Sequence, residues 1–203
     1  MSFDIDLTYR AGDRERRVRI ASEAGLVALT GPSGSGKTTF LDCLAGLRLP
    51  LAGHARVGGE TLFDAAGGID LAPETRRAGY VFQDLRLFPH KTVSANLAYG
   101  YRSEALMQPG EAMDFLGIAA LAQRLPATLS GGEAKRVAIG RALLSAPRFL
   151  LLDEPLTSLD ASRATEIASL LERIRDDLGL PTLLVTHDPR EVERLAGEVV
   201  TLD

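Results

Sequence analysis

Leu26 to Thr39 reads LVALTGPSGSGKTT, an apolar run that breaks into glycines and ends on a lysine and two threonines. Gly31, Gly36, Lys37 and Thr38 satisfy G-x-x-x-x-G-K-[ST]. In that pattern the glycines let backbone N–H groups wrap a phosphate, the lysine reaches the β/γ oxygens and the hydroxyl can hold Mg²⁺. Both flanks agree with it. Leu26 to Thr30 is a short apolar strand, and Phe40, Leu41, Leu44 and Ala45 recur at helical spacing after the loop. Strand, glycine loop and helix are what the pattern needs, whereas an ordinary glycine-rich turn needs neither flank. A nucleotide is therefore expected on Gly31, Pro32, Ser33, Gly34, Ser35, Gly36, Lys37, Thr38 and Thr39.

Phe149 to Glu154 (FLLLDE) is a buried-strand run that ends in two carboxylates. Asp153, at a strand end near such a loop, is placed to hold Mg²⁺ through water. Glu154, one residue further, is placed to polarise an attacking water as general base. A plain Asp-Glu-Pro turn ended by Pro155 would not call for two carboxylates directly after four apolar residues. Two more strand ends carry polar residues: Ala78 to Phe82 leads into Gln83, and Thr182 to Thr186 leads into His187. Taken alone, a Gln or His after a strand is more often structural. His187 also precedes Asp188, Pro189 and Glu191, the N-cap, N1 proline and N3 glutamate of a helix. In an open parallel sheet, ligands sit beyond the carboxyl ends of the strands, so one sheet would gather the glycine loop, Gln83, Asp153 and His187.

Leu129 to Glu133 reads LSGGE. Ser130 as N-cap with Glu133 three residues on is a capping box. Capping leaves Gly131 and Gly132 without a reason, because each glycine costs roughly 1 kcal/mol relative to alanine in a helix. Two bare amides at the positive end of a helix also make a seat for an anion. On these residues alone, both readings stay open.

In order and spacing, the glycine loop, Gln83, LSGGE, FLLLDE, Ser158-Leu159-Asp160 and His187 resemble the ATP-binding cassette (ABC) ATPases over nearly the whole chain. The resemblance implies an α/β fold, a P-loop NTPase cassette with a mostly parallel sheet core, an N-terminal antiparallel β part and an inserted helical subdomain. It implies ATP and Mg²⁺ as ligands. Lys37 and Thr38 would bind phosphate and metal, with Asp153 on the metal, Gln83 touching metal and attacking water, Glu154 as the base, and His187 on the γ-phosphate. Asp160 would lie in a loop that crosses a dimer interface. Tyr9 stands about where the family places an adenine-stacking aromatic, and it reads equally as a strand residue facing a core. Two subunits of such a homodimer sandwich two ATP molecules, which makes Ser130, Gly131 and Gly132 half of the partner's site. The result is a two-state switch biased by contacts made only while the γ-phosphate is present.

Within that family, Gly67 to His90 (GGIDLAPETRRAGYVFQDLRLFPH), Asn96 to Gly100, Arg124-Leu125-Pro126 and residues 138–144 look like the ATPases of molybdate importers. ATPases of importers for sulfate, iron or polyamines share parts of the pattern, and nothing in this subunit would touch the solute. The resemblance implies permease subunits as partners, an indirect link to a periplasmic or surface binding protein, and a peripheral place at the cytoplasmic face of the cell (inner) membrane. A soluble ABC ATPase fits less well, since those usually carry two cassettes or a long coiled-coil insertion. A GTPase would carry Asn-Lys-x-Asp, which the sequence lacks. There are departures from the family pattern. Lys135 stands where relatives often have glutamine. Lys91 stands where an apolar residue is common, in a segment expected to face a transporter partner. Molybdate-type ATPases often continue into a C-terminal β domain that senses the anion; this sequence runs to Asp203, and regulation through such a domain is not claimed for it.

The chain's 203 residues fit one domain, 1–203, with 1–83 and 141–203 as nucleotide-binding α/β core and 84–140 as helical subdomain. With 23 basic and 27 acidic residues the net charge is −4, and no nucleic-acid partner is expected. Cys43, the only cysteine, reads as packing volume in a reducing compartment. Asp4 and Asp6 interrupt any signal-like start, and no apolar run is long enough to span a bilayer. Phe3 to Leu7 and Arg17 to Ile20 alternate like antiparallel strands around an Ala11-Gly12-Asp13 turn, and Ala55 to Phe63 suggests a hairpin turning at Gly58-Gly59. Strand signals stop between Asp84 and Leu129. Arg163 to Leu178 is amphipathic, with Ile167, Leu170, Leu171, Ile174 and Leu178 on one face, and a last strand runs over Glu198 to Leu202.

Overall fold

The computed structural model describes residues 1–202; Asp203 lies outside the described residues. Its first strands alternate as the sequence predicts but run further. β1 (Phe3–Ala11) and β2 (Arg14–Ser22) pair along their full lengths. Phe3, Ile5, Leu7 and Tyr9 turn inward, while on the other face Asp6 accepts from Arg17 (2.7 Å) and Arg19 (2.8 Å). Those charged cross-strand partners extend the pairing beyond the apolar alternation. β4 (Ala52–Val57) joins β1, and β5 (Glu60–Asp64) follows through Gly58 and Gly59, both at positive φ, a tight turn that only glycine adopts without strain. With β6 (Ile69–Asp70) they form an antiparallel sheet in the order β2-β1-β4-β5-β6.

The second sheet is wholly parallel. Its order is β10 (Glu198–Thr201), β3 (Leu26–Thr30), β9 (Thr182–Val185), β8 (Phe149–Asp153), β7 (Ala78–Val81). Covered on both faces, such strands are apolar throughout. Alternate residues of β8 serve different cores: Phe149 and Leu151 join one, Leu150 and Leu152 the other. The first core lies between the two sheets around α1 (Lys37–Ala45), where Phe40, Leu41 and Leu44 meet the inward face of β1. Each fully buried side chain of that size contributes roughly 1.5–3 kcal/mol. Cys43 is buried there, its thiol pushed up to about 11 by desolvation, with Asp42 adding. The α2 turn (Pro73–Arg76) supplies Arg76, which is buried and donates to the carbonyls of Cys43, Leu44 and Leu71 and to Asp70, satisfying the end of α1.

The second core packs the far face of the parallel sheet against α3 (Val93–Tyr99), α4 (Pro109–Phe115), α5 (Gly131–Leu144), α6 (Ala161–Leu178) and α7 (Pro189–Leu195). Between β7 and β8 there is no strand, as the sequence predicts, only helices and two 3₁₀ turns. Helix α5 runs unbroken across the 140/141 boundary, so that boundary falls inside one element. Helix α6 begins at Ala161, two residues before the Arg163 start that the sequence predicts, because Asp160 caps it by accepting from Arg163 N (2.9 Å).

Candidate functional site

The glycine loop links β3 to α1 and is pressed from two sides. A Cβ at Gly31 would sit 2.3 Å from the carbonyl oxygen of Leu202, and one at Gly36 would sit 2.8 Å from the Cβ of Ala11. Both glycines also hold positive φ (139° and 97°), so the loop admits no side chain at either place. Lys37 is buried, and its ammonium donates to Gly31 O and Pro32 O, each at 2.8 Å, which leaves a third proton. The Ser35 hydroxyl is buried in the same loop with no hydrogen-bond partner. A phosphate fits an unpartnered hydroxyl, a spare ammonium proton and bare loop amides.

Thr38 Oγ1 donates to Asp153 Oδ2 at 2.8 Å, bringing a hydroxyl and a carboxylate together where α1 begins and β8 ends. Burial raises the Asp153 carboxyl above its ordinary value, and the Thr38 bond opposes that shift. Among the described residues there is no group of three or more His, Cys, Asp or Glu that could hold a metal. Two hard oxygen donors beside a phosphate seat suit Mg²⁺, which keeps waters and shares substrate oxygens.

Glu154 follows at φ 50°, a left-handed conformation uncommon for a non-glycine residue. Its amide donates to Val185 O (3.0 Å). Its carboxylate accepts from Thr157 Oγ1 (3.0 Å), has Gln83 Nε2 at 3.5 Å, and faces His187 Nδ1 at 3.5 Å. Lys37, Thr38, Gln83, Glu154 and His187 line one cleft of about 460 Å³. His187 is 62% exposed in it. The helix start after His187 is as expected: Asp188 caps α7 through Arg190 N (2.9 Å). Glu191, however, accepts from Thr186 Oγ1 (2.6 Å).

Tyr9 needs correcting. Its ring is fully buried and tilted against Phe40, and its hydroxyl donates to Gly36 O at 3.2 Å. Burial pushes the phenol far above its usual range. A ring sealed beneath the loop cannot stack on a base; of its two readings, the core-facing strand residue holds.

Ser130, Gly131, Gly132 and Asp160 do not line the cleft. The capping box is present: Glu133 N donates to Ser130 Oγ (3.4 Å) and Ser130 N to Glu133 Oε2 (2.6 Å). The two glycines remain unexplained by the chain's own packing. Neither has positive φ, and a Cβ would meet nothing nearer than 3.4 Å (Leu159) at Gly131 or 3.6 Å (Arg163) at Gly132, both ordinary contacts.

Sequence reasoning missed Thr157 and Arg141. The Arg141 guanidinium, on α5, donates to Arg86 O (2.7 Å) and Leu85 O (2.9 Å), fixing two residues at positive φ just beyond Gln83. No spacing rule marks a contact between residues 55 apart in sequence.

Residues 20–157 match the family model described as "ABC transporter". Over 202 residues, 98% of this chain and 56% of the relative, the sequence is 53% identical to the molybdenum import ATP-binding protein ModC of Brucella melitensis biotype 1. It is 48% identical over 206 residues to the ModC of Mesorhizobium japonicum, covering 100% of this chain and 56% of that one. The chain thus spans about half the length of the curated relatives it matches. Among solved structures, a dimeric bacterial ABC transporter cassette superposes with a TM-score of 0.75 at 29% identity, over 98% of this chain and 92% of the other. A post-hydrolysis dimer of that cassette bound to ADP and Pi gives 0.77 at 28% identity, over the same shares.

Proposed function

The chain belongs to the ABC transporter family, and from that premise we propose that it is the ATP-hydrolysing subunit of an importer, acting as a homodimer on permease subunits. Molybdate or a related oxyanion is the proposed solute, on the strength of the names its relatives carry. A peripheral place at the cytoplasmic face of the cell (inner) membrane, with solute delivered by a binding protein, belongs to the same reading. No helix among the described residues is long and apolar enough to cross a membrane, so contact with the bilayer would run through the permease.

The observation that carries the reading is convergence: residues after four different strands meet at one cleft, with Glu154 between Gln83 and His187. Lys37, Ser35 and the loop amides hold the phosphates. Thr38 and Asp153 would hold Mg²⁺, which would supply positive charge to offset that of the phosphates. Glu154 takes the proton of a water that Gln83 orients, and His187 donates toward the γ-phosphate. Ser130, Gly131 and Gly132 present bare amides to the nucleotide of the partner subunit. The absence of any steric need for those glycines within the chain supports an external one.

Glu154→Gln keeps the shape and removes the base. It should bind ATP as wild type does, accumulate an ATP-bound dimer on size exclusion, and lose turnover; unchanged turnover would refute the assignment. For the solute, a deletion strain should lose molybdoenzyme activity on limiting molybdate and recover it with excess. Normal activity without added molybdate would sink that part of the proposal.

A further inference from the structure

Helix α5 carries a buried cation that the proposed mechanism does not use. Lys135 lies four residues after Gly131, on the same helix face, and is only 7% exposed. Its ammonium donates to the carbonyl oxygen of Thr157. The Thr157 hydroxyl donates in turn to Glu154 Oε2 at 3.0 Å, and the Thr157 amide turns back to Glu154 O at 3.3 Å. Glu154 and Ser158, on either side of this contact, both hold left-handed backbone (φ 50° and 65°), which unaided residues of these types avoid. Desolvation lowers the Lys135 pKa, opposed by the carboxylates of Glu191 and Glu154. A buried ammonium is costly unless it is hydrogen-bonded and near opposite charge, and the hydrogen bond of Lys135 ends on the loop that shapes Glu154.

We propose that Lys135 is a positioning residue for Glu154: through Thr157 it locks the carboxylate's place and ties it to the helix whose first turn faces the partner's nucleotide. The proposal rests on the reading of Glu154 as the base. It makes α5 a rigid link between the two sites of a dimer, since one end meets the partner's ATP and the next turn holds this subunit's own base.

Steady-state ATP hydrolysis by the full protein tests it, with wild type, Glu154→Gln, Lys135→Met, Lys135→Gln and Thr157→Val side by side. Lys135→Met keeps the unbranched apolar stem and removes the donor. Its kcat should fall roughly tenfold or more, as for a displaced catalytic group, with KM for ATP within about twofold of wild type. Lys135→Gln keeps an N–H for Thr157 O and should recover kcat to within about threefold. Thr157→Val should lower kcat in the same direction, and combining it with Lys135→Met should add little. Wild-type kcat per folded molecule in Lys135→Met, whatever its melting temperature, overturns the proposal, and so does Lys135→Gln as impaired as Lys135→Met. If Lys135→Met does not fold, Thr157→Val decides, and wild-type kcat there overturns it. Full turnover in Glu154→Gln would instead remove the base assignment itself, a failure distinct from an inactive Glu154→Gln beside a normal Lys135→Met.

Discussion

Glu154 holds a backbone conformation that costs of order 1–3 kcal/mol for a non-glycine side chain. A carboxylate is worth that cost only where its oxygens are needed, beside Gln83 and His187. Glycine relieves the strain and alanine does not, so Glu154→Gly should be about 1 kcal/mol more stable than Glu154→Ala by urea unfolding, with both inactive. Equal stability of the pair would mean the left-handed conformation is not imposed on this residue. Most of the phosphate seat was legible in the sequence, because loop residues act through backbone amides whose spacing is itself the signal. Tyr9 and Lys135 were not legible to the same degree. Whether Tyr9 meets a base or a core depends on which strand face lies beneath the loop. What Lys135 touches depends on a carbonyl 22 residues away.

At the scale of elements, α5 sets a local stability rule against a use. Ser130 and Glu133 cap the helix, while Gly131 and Gly132 weaken its first turn with no neighbour to forbid a methyl group. Gly132→Ala should therefore stabilise the folded chain by up to about 1 kcal/mol, raising the melting temperature by a few degrees. It should also weaken ATP-dependent dimerisation and turnover. An alanine variant with full turnover would show that the bare amide is not in use. A helix with one apolar face is legible in the sequence nearly to its ends, as in α6, where the stripe from Ile167 to Ile174 is buried. Where elements run further than the pattern predicts, the causes are physical. β1 and β2 run longer than their apolar alternation because Asp6 with Arg17 and Arg19 pairs them on the solvent face. Helix α6 starts earlier because Asp160 caps it.

At the scale of the molecule, two sheets and a helical layer place residues from distant parts of the chain around one cleft, while LSGGE is left outside it. The parallel order β10-β3-β9-β8-β7 puts the glycine loop, Glu154 and His187 on adjacent strand ends. That gathering was predictable from the rule that ligands lie beyond the carboxyl ends of parallel strands. The existence of the antiparallel part and of a helical insertion was also predictable; the packing that seals Tyr9 and Arg76 was not. The central claim is that each site is completed by a second copy of the chain. Lys37→Ala and Ser130→Arg, each inactive alone, should complement when mixed, since the mixed dimer holds one site with both an intact glycine loop and an intact LSGGE. Equal mixing should restore about a quarter of wild-type ATP turnover, half the dimers being mixed and each carrying one good site of two. Turnover no higher than either parent would contradict the account.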